Sequence, residues 1–150
     1  MNFLRVASAL LVAAAAASCG SSDPDASLRQ LLADAEAAAE ARNGGFFRDL
    51  IAPSYRDSRG NDRDQMLNLI RGYFLAHSSI EVVMTIDEIV LEGADAARID
   101  VRAGLLGQRA GQSLLGGVDG DLQHVRLELI KEDSDWRVIG TNWRPAVGER

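Results

Sequence analysis

The sequence predicts an α+β domain, with helices first and an antiparallel sheet after them, the helices covering one face of that sheet. Three observations predict it. Apolar residues recur at helical spacing as far as His77, whereas beyond Ser79 the period changes to two. Turn residues such as Gly93-Ala94-Asp95 and Asp133-Ser134-Asp135 then divide the second half into strands. With 150 residues, 47% of them apolar, the chain holds material for about one core.

The first helix is expected to start near Asp25 or Ser27, where Ser27 and Gln30 have capping-box spacing. Leu28, Leu31, Leu32, Ala35, Ala38 and Ala39 form its apolar stripe, and Asn43-Gly44-Gly45 ends it. A short helical piece, Phe46 to Ala52, stops before Pro53, and Pro53 to Gly60 reads as a polar loop. Asp62 with Gln65 starts a third helix, whose buried stripe is Met66, Leu67, Ile70, Tyr73 and Phe74 and whose end lies near His77. Ile80, Val82 and Met84 then alternate, and a second run covers Ile86 to Glu92. The return strand carries Ala97, Ile99, Val101, Ala103 and Leu105 on one face. Val125, Leu127 and Leu129 mark a further strand, and Trp136 to Trp143 the last.

The order helix, short helix, helix, then a sheet ending in LELIKEDSDWRVIGTNW resembles the nuclear transport factor 2-like superfamily, as does FRDLIAPSYRD, where a short helix leads into a Tyr-bearing segment. The resemblance spans residues 28–144. It implies a cone-shaped fold, with helices closing over a curved antiparallel sheet to leave a pocket. The superfamily includes ketosteroid isomerase-like and polyketide cyclase-like enzymes as well as binding modules, so the fold leaves function open. It also implies an open sheet face suited to a homodimer.

Residues 1–18 have the pattern of a signal peptide: Arg5 in a short positive region, then an apolar run from Val6 to Ala17 too short to span a membrane. Ala16-Ala17-Ser18-Cys19 resembles the lipobox of bacterial lipoproteins, which implies acylation of Cys19. Residues 19–27 would be the acylated cysteine and a polar tether, and residues 28–145 the domain. Gly20 after the cysteine implies, by resemblance to lipoprotein sorting, the periplasmic face of the outer membrane. An ordinary secretory signal is the plainer alternative. Cys19 is the single cysteine, so no internal disulfide forms.

The formal charge is −6, and removal of residues 1–18 takes away one cation, Arg5. An acidic chain is a poor nucleic-acid partner. No HExxH, GxSxG or phosphate-loop pattern is present, so no metal and no cofactor is expected. The Gly-rich segment 104–120 reads as a lid or as a connection with its leucines tucked onto the body.

Strand parity gives the sharpest expectations. Arg98, Asp100 and Arg102 share one face, as do His124, Arg126 and Glu128; the opposite faces are aliphatic and should line the cone. Cross-strand ion pairing would occupy the charged face. Tyr55, in a loop at the cone mouth, either packs or hydrogen-bonds a ligand. Asn142 has the parity of Trp136 and Val138, which makes it a candidate polar anchor in the pocket, whereas Trp143 has the opposite parity. The resemblance to ketosteroid isomerase-like enzymes is incomplete, because helix one has no Tyr on its buried stripe. Two functions follow. One is a lipid-anchored envelope protein whose domain binds a small apolar ligand or an envelope protein partner. The other is an isomerase, cyclase or dehydratase using Tyr55 with His77 or Asp57 as acid and base.

Overall fold

The computed structural model describes residues 23–109 and 122–146. Cys19, the signal segment and the centre of the Gly-rich run lie outside the described residues. Helix α1 spans Pro24–Glu40. It starts earlier than the Ser27–Gln30 spacing suggests, because Asp23 is the cap: its side chain accepts the Asp25 N–H at 3.1 Å, and Pro24 supplies a backbone preset for the first turn. Residues 24–27 are therefore helical and not tether. Ser27 instead bonds the Pro24 carbonyl and accepts the Trp136 indole N–H at 3.2 Å, tying α1 to the last strand.

The expected glycine ending of α1 is also corrected. Arg42 takes the positive φ of 53°, and Asn43 caps the next helix, α2 (Gly44–Leu50), by accepting the Phe46 N–H. The glycines open α2 and do not close α1. Residues 51–57, expected as the end of a helix and a loop, form strand β1 (Ile51–Asp57). Pro53 is compatible with this because β1 is an edge strand, where a missing N–H costs no ladder bond. Helix α3 (Arg63–Ala76) begins with the expected Asp62–Gln65 capping box, both bonds being 2.9 Å long.

The chain then runs directly into β2 (His77–Leu91), β3 (Ala96–Arg109), β4 (Gln123–Glu132) and β5 (Asp135–Pro145). The sheet order is β1-β5-β4-β3-β2. The four long strands are antiparallel neighbours, as expected, but β1 lies parallel to β5, so the sheet is mixed. Gly93 at φ 80° turns the first hairpin. Asp133 and Ser134, at φ 49° and 73°, turn the β4–β5 hairpin. Helix α1 guards the outer edge of β2: Glu40 accepts the Val82 N–H at 3.1 Å, and Arg42 donates to the His77 carbonyl.

Except on β5 beyond Ile139, the two sheet faces separate as parity predicted. Ile99, Val101, Val125, Leu129, Trp136 and Val138 are buried under the helices with Leu28 and Leu32. On the other face Arg126 pairs with Asp100 at 2.8 Å, Arg102 with Asp87 at 2.8 Å and Arg98 with Glu92 at 3.2 Å. Among the described residues, every helix, strand and core side chain lies within 23–146, so a chain starting at residue 20 carries all of them.

Candidate functional site

The helices and the concave sheet face do not meet completely. Between them lies a cavity of about 270 Å³. Helix α1 contributes Leu31, Leu32, Ala35, Glu36 and Ala39, and α2 contributes Phe47 and Leu50. Ile70, Tyr73 and Phe74 come from α3. The sheet supplies Ile80, Val82 and Met84, then Val101 and Ala103, then Val125, Leu127 and Leu129. These are the inward positions of three alternating strands, so sequence parity located most of the wall. The volume is near the lower end of ligand-pocket sizes, and an apolar wall with a few polar groups is the usual composition of such sites.

Three polar side chains meet at the β1–β5 side. Tyr55 is 1% exposed, and its hydroxyl lies 2.6 Å from Thr141 Oγ1. Trp143 donates its indole N–H to the same Oγ1 at 2.7 Å. All three line the cavity. Together they hold three polar hydrogens, of which these two bonds consume two. Thr141 accepts from Trp143 and either accepts from or donates to Tyr55, so one O–H hydrogen remains available to an acceptor. Burial raises the Tyr55 phenol above its ordinary value, the Thr141 bond opposes this, and nearby Asp57 adds to the rise. Tyr55 is thereby kept neutral, a hydrogen-bonding group and not a base. Glu36, half-buried, is the one charged residue in the cavity wall among the described residues.

Tyr55 was expected in a mouth loop; the structure puts it on β1 at the interior wall, because residues 51–57 pair with β5. Asn142 does not enter the pocket. It is exposed and opposite Arg126, on the charged face. The cause is one bulged residue. Glu128 pairs with Gly140 but Leu129 pairs with Val138, which leaves Ile139 unopposed and reverses the parity beyond it. Thr141 and Trp143 consequently turn inward in place of Asn142. Gly140 suits this crowded point, since a side chain there would meet the Arg56 carbonyl and the Glu128 side chain at 3.2 Å.

The proposed acid/base pairing is not assembled, because neither Asp57 nor His77 lines the cavity. Asp57 organises a turn: Oδ1 accepts the N–H groups of Arg59 and Asn61 at 2.9 and 2.8 Å, and Oδ2 accepts the Asn61 side chain at 2.8 Å. Burial pushes its carboxyl up, but the Asn61 and Arg59 bonds and the Arg59 charge outweigh burial and hold it below the ordinary value. His77 is 6% exposed, stacks on Tyr73 at 4.0 Å and holds the Tyr73 carbonyl through Nδ1 at 2.8 Å. Gly107 presses on the ring, where even a methyl group would collide at 2.4 Å. The Asp57 carboxylate is thus engaged by its own turn, and His77 by Tyr73 through Nδ1, its Nε2 being buried without a partner among the described residues. No cluster of His, Cys, Asp or Glu among the described residues has metal-binding geometry.

No family model and no curated relative matches the chain. Solved structures do. A candidate scytalone dehydratase from Novosphingobium aromaticivorans superposes with a TM-score of 0.73 at 10% identity, over 82% of this chain and 84% of that one. A candidate dehydratase of the NTF2-like family from Streptomyces avermitilis gives 0.68 at 15% identity, over 84% and 100%. An NTF2-like superfamily protein from Salmonella enterica serovar Typhimurium gives 0.65 at 14% identity, over 83% and 95%. Likeness at such identities concerns architecture: helices over a curved five-stranded sheet in a nuclear transport factor 2-like cone.

Proposed function

We propose that this nuclear transport factor 2-like domain is a non-catalytic module, tethered to the bacterial cell envelope through acylated Cys19, whose cavity binds a small apolar ligand bearing one hydrogen-bond acceptor. The observation that carries the reading is the Tyr55–Thr141–Trp143 group: three polar hydrogens, two internal bonds and a wall that is apolar apart from this group, Glu36 and Tyr73. A buried O–H hydrogen without an acceptor costs free energy, which a carbonyl or ether oxygen on a ligand would recover. The enzymatic alternative loses its pairing, since His77 and Asp57 are bound up elsewhere. Support for the anchor is the lipobox-like Ala16–Cys19 run after an apolar leader. Placement at the outer membrane follows from Gly20 by the same resemblance.

Calorimetric titration with cyclooctanone and cyclooctane tests the pocket. The ketone should bind the native chain, and combining Tyr55→Phe with Thr141→Val should weaken it by about tenfold, the value of one hydrogen bond, with the alkane unaffected. Equal ketone affinity in both proteins would refute the donor, and no binding of either probe would refute the pocket. The anchor is tested by metabolic labelling: Cys19→Ser should abolish incorporation of radiolabelled palmitate. Unchanged labelling would refute acylation at Cys19.

A further inference from the structure

The cavity has a neighbour. A cleft of about 430 Å³ opens beside it, between the α1–α2 junction and α3, and is bordered by Arg42, Arg48 and Arg71 with Leu67 and Leu75. Ile70 and Phe74 border both hollows, so one wall, two side chains wide, separates them. Leu75 stands at the cleft 77% exposed, an apolar rim beside three cations.

The charge arrangement differs from that of the sheet arginines. Arg98, Arg102, Arg126 and Arg137 each pair with a carboxylate. The cleft has no acidic lining residue among the described residues. Among the described residues, no ion pair engages Arg42, Arg48 or Arg71, and the Arg42 side chain donates to the His77 carbonyl. In a chain of formal charge −6, three guanidinium groups without carboxylates around one hollow form a local positive field. Guanidinium forks match carboxylate and phosphate oxygens.

We infer that the cleft receives the anionic head of a free single-chain amphiphile whose apolar tail crosses the Ile70–Phe74 wall into the cavity. The inference rests on the proposed reading of the cavity as a ligand site and names the ligand class for it. Charge complementarity selects the head, and the shared apolar wall selects a tail attached to it. Phe74, which lines both hollows, packs against Phe47, a cavity residue, with ring centroids 6.0 Å apart, and its ring is the one the tail passes.

The experiment titrates the chain from residue 20 with decanoate and with decanol, in native form and with Arg48→Gln combined with Arg71→Gln. The native protein should prefer decanoate, and the double variant should lower the decanoate-to-decanol affinity ratio by about tenfold, consistent with loss of a charged hydrogen bond. Arg102→Gln, on the opposite sheet face, should leave the ratio unchanged. Rising salt should weaken decanoate and spare decanol. Binding of both probes with a ratio insensitive to Arg48 and Arg71 would overturn the inference and leave the cavity reading standing. Failure of both probes to bind a protein with native circular dichroism would overturn the cavity reading and this inference with it. Arginine-dependent binding to vesicles of phosphatidylglycerol, with no binding of decanoate, would overturn it in favour of a membrane surface.

Discussion

At the residue scale, the site depends on where single side chains point, and one inserted residue decides that. Ile139 is the unopposed position on β5, and it exchanges Asn142 for Thr141 and Trp143 on the inner face. Strict alternation read from Trp136 gives the wrong answer beyond the bulge. Nothing in the run Val138-Ile139-Gly140 marks which residue is bulged, although Gly140 signals close backbone approach. Tyr55 was legible as a residue of interest, but its setting was not, because its hydrogen-bond partner is 86 positions away. Asp57 makes a prediction about pH. Its carboxyl titrates lower in the folded chain than in the unfolded one, so its stabilising contribution is complete above the ordinary carboxylate value and is lost as the pH falls through that value and below. Asp57→Asn should destabilise by about 1–2 kcal/mol at neutral pH, because an amide N–H₂ replaces one accepting oxygen opposite Asn61. Urea midpoints of the two proteins should converge on acidification. A constant gap down to strongly acidic pH would contradict that role.

At the element scale, local signals served where the element is held by its own residues. The Asp62–Gln65 box and the apolar stripe of α3 were readable because capping bonds span three residues. The strands of the meander were readable because one face is buried and the other carries charge. Strand β1 was not. Ile51-Ala52-Pro53-Ser54 has a breaker and little alternation, and its strand state comes from pairing with β5, remote in sequence. The α1 start was misplaced because Ser27 mimics a cap, while its hydroxyl is used by Trp136. The β4–β5 turn is legible and suboptimal. Asp133 and Ser134 both hold positive φ, and an L-residue such as serine pays a steric penalty there. Ser134→Gly should raise stability by about 1 kcal/mol, read as a higher urea midpoint with an unchanged slope. A lower midpoint would show that the serine side chain contributes more than its strain removes.

At the scale of the whole molecule, the fold follows from how its surfaces divide. Charged side chains on the outer sheet face pair across strands, so that face is satisfied internally. The inner face is aliphatic and meets three helices, one of which also shields the free edge of β2. The meeting is incomplete because the sheet curves away from helices that present small residues, Ala35 and Ala39, toward it. The cavity is thus a consequence of helix composition as much as of sheet curvature. Its apolar character was readable from strand alternation; its polar corner and the arginine-lined cleft depend on tertiary placement that alternation does not encode.

The central claim is that this cavity holds a ligand. Native mass spectrometry of residues 20–150, purified from a bacterial host, tests it most directly, with Ala103→Phe measured alongside to fill the space from the β3 side. A non-covalent small-molecule mass is expected on the native chain and none on the filled variant. A bare native mass that acquires neither cyclooctanone nor decanol when they are supplied, or a ligand retained equally by Ala103→Phe, would contradict it.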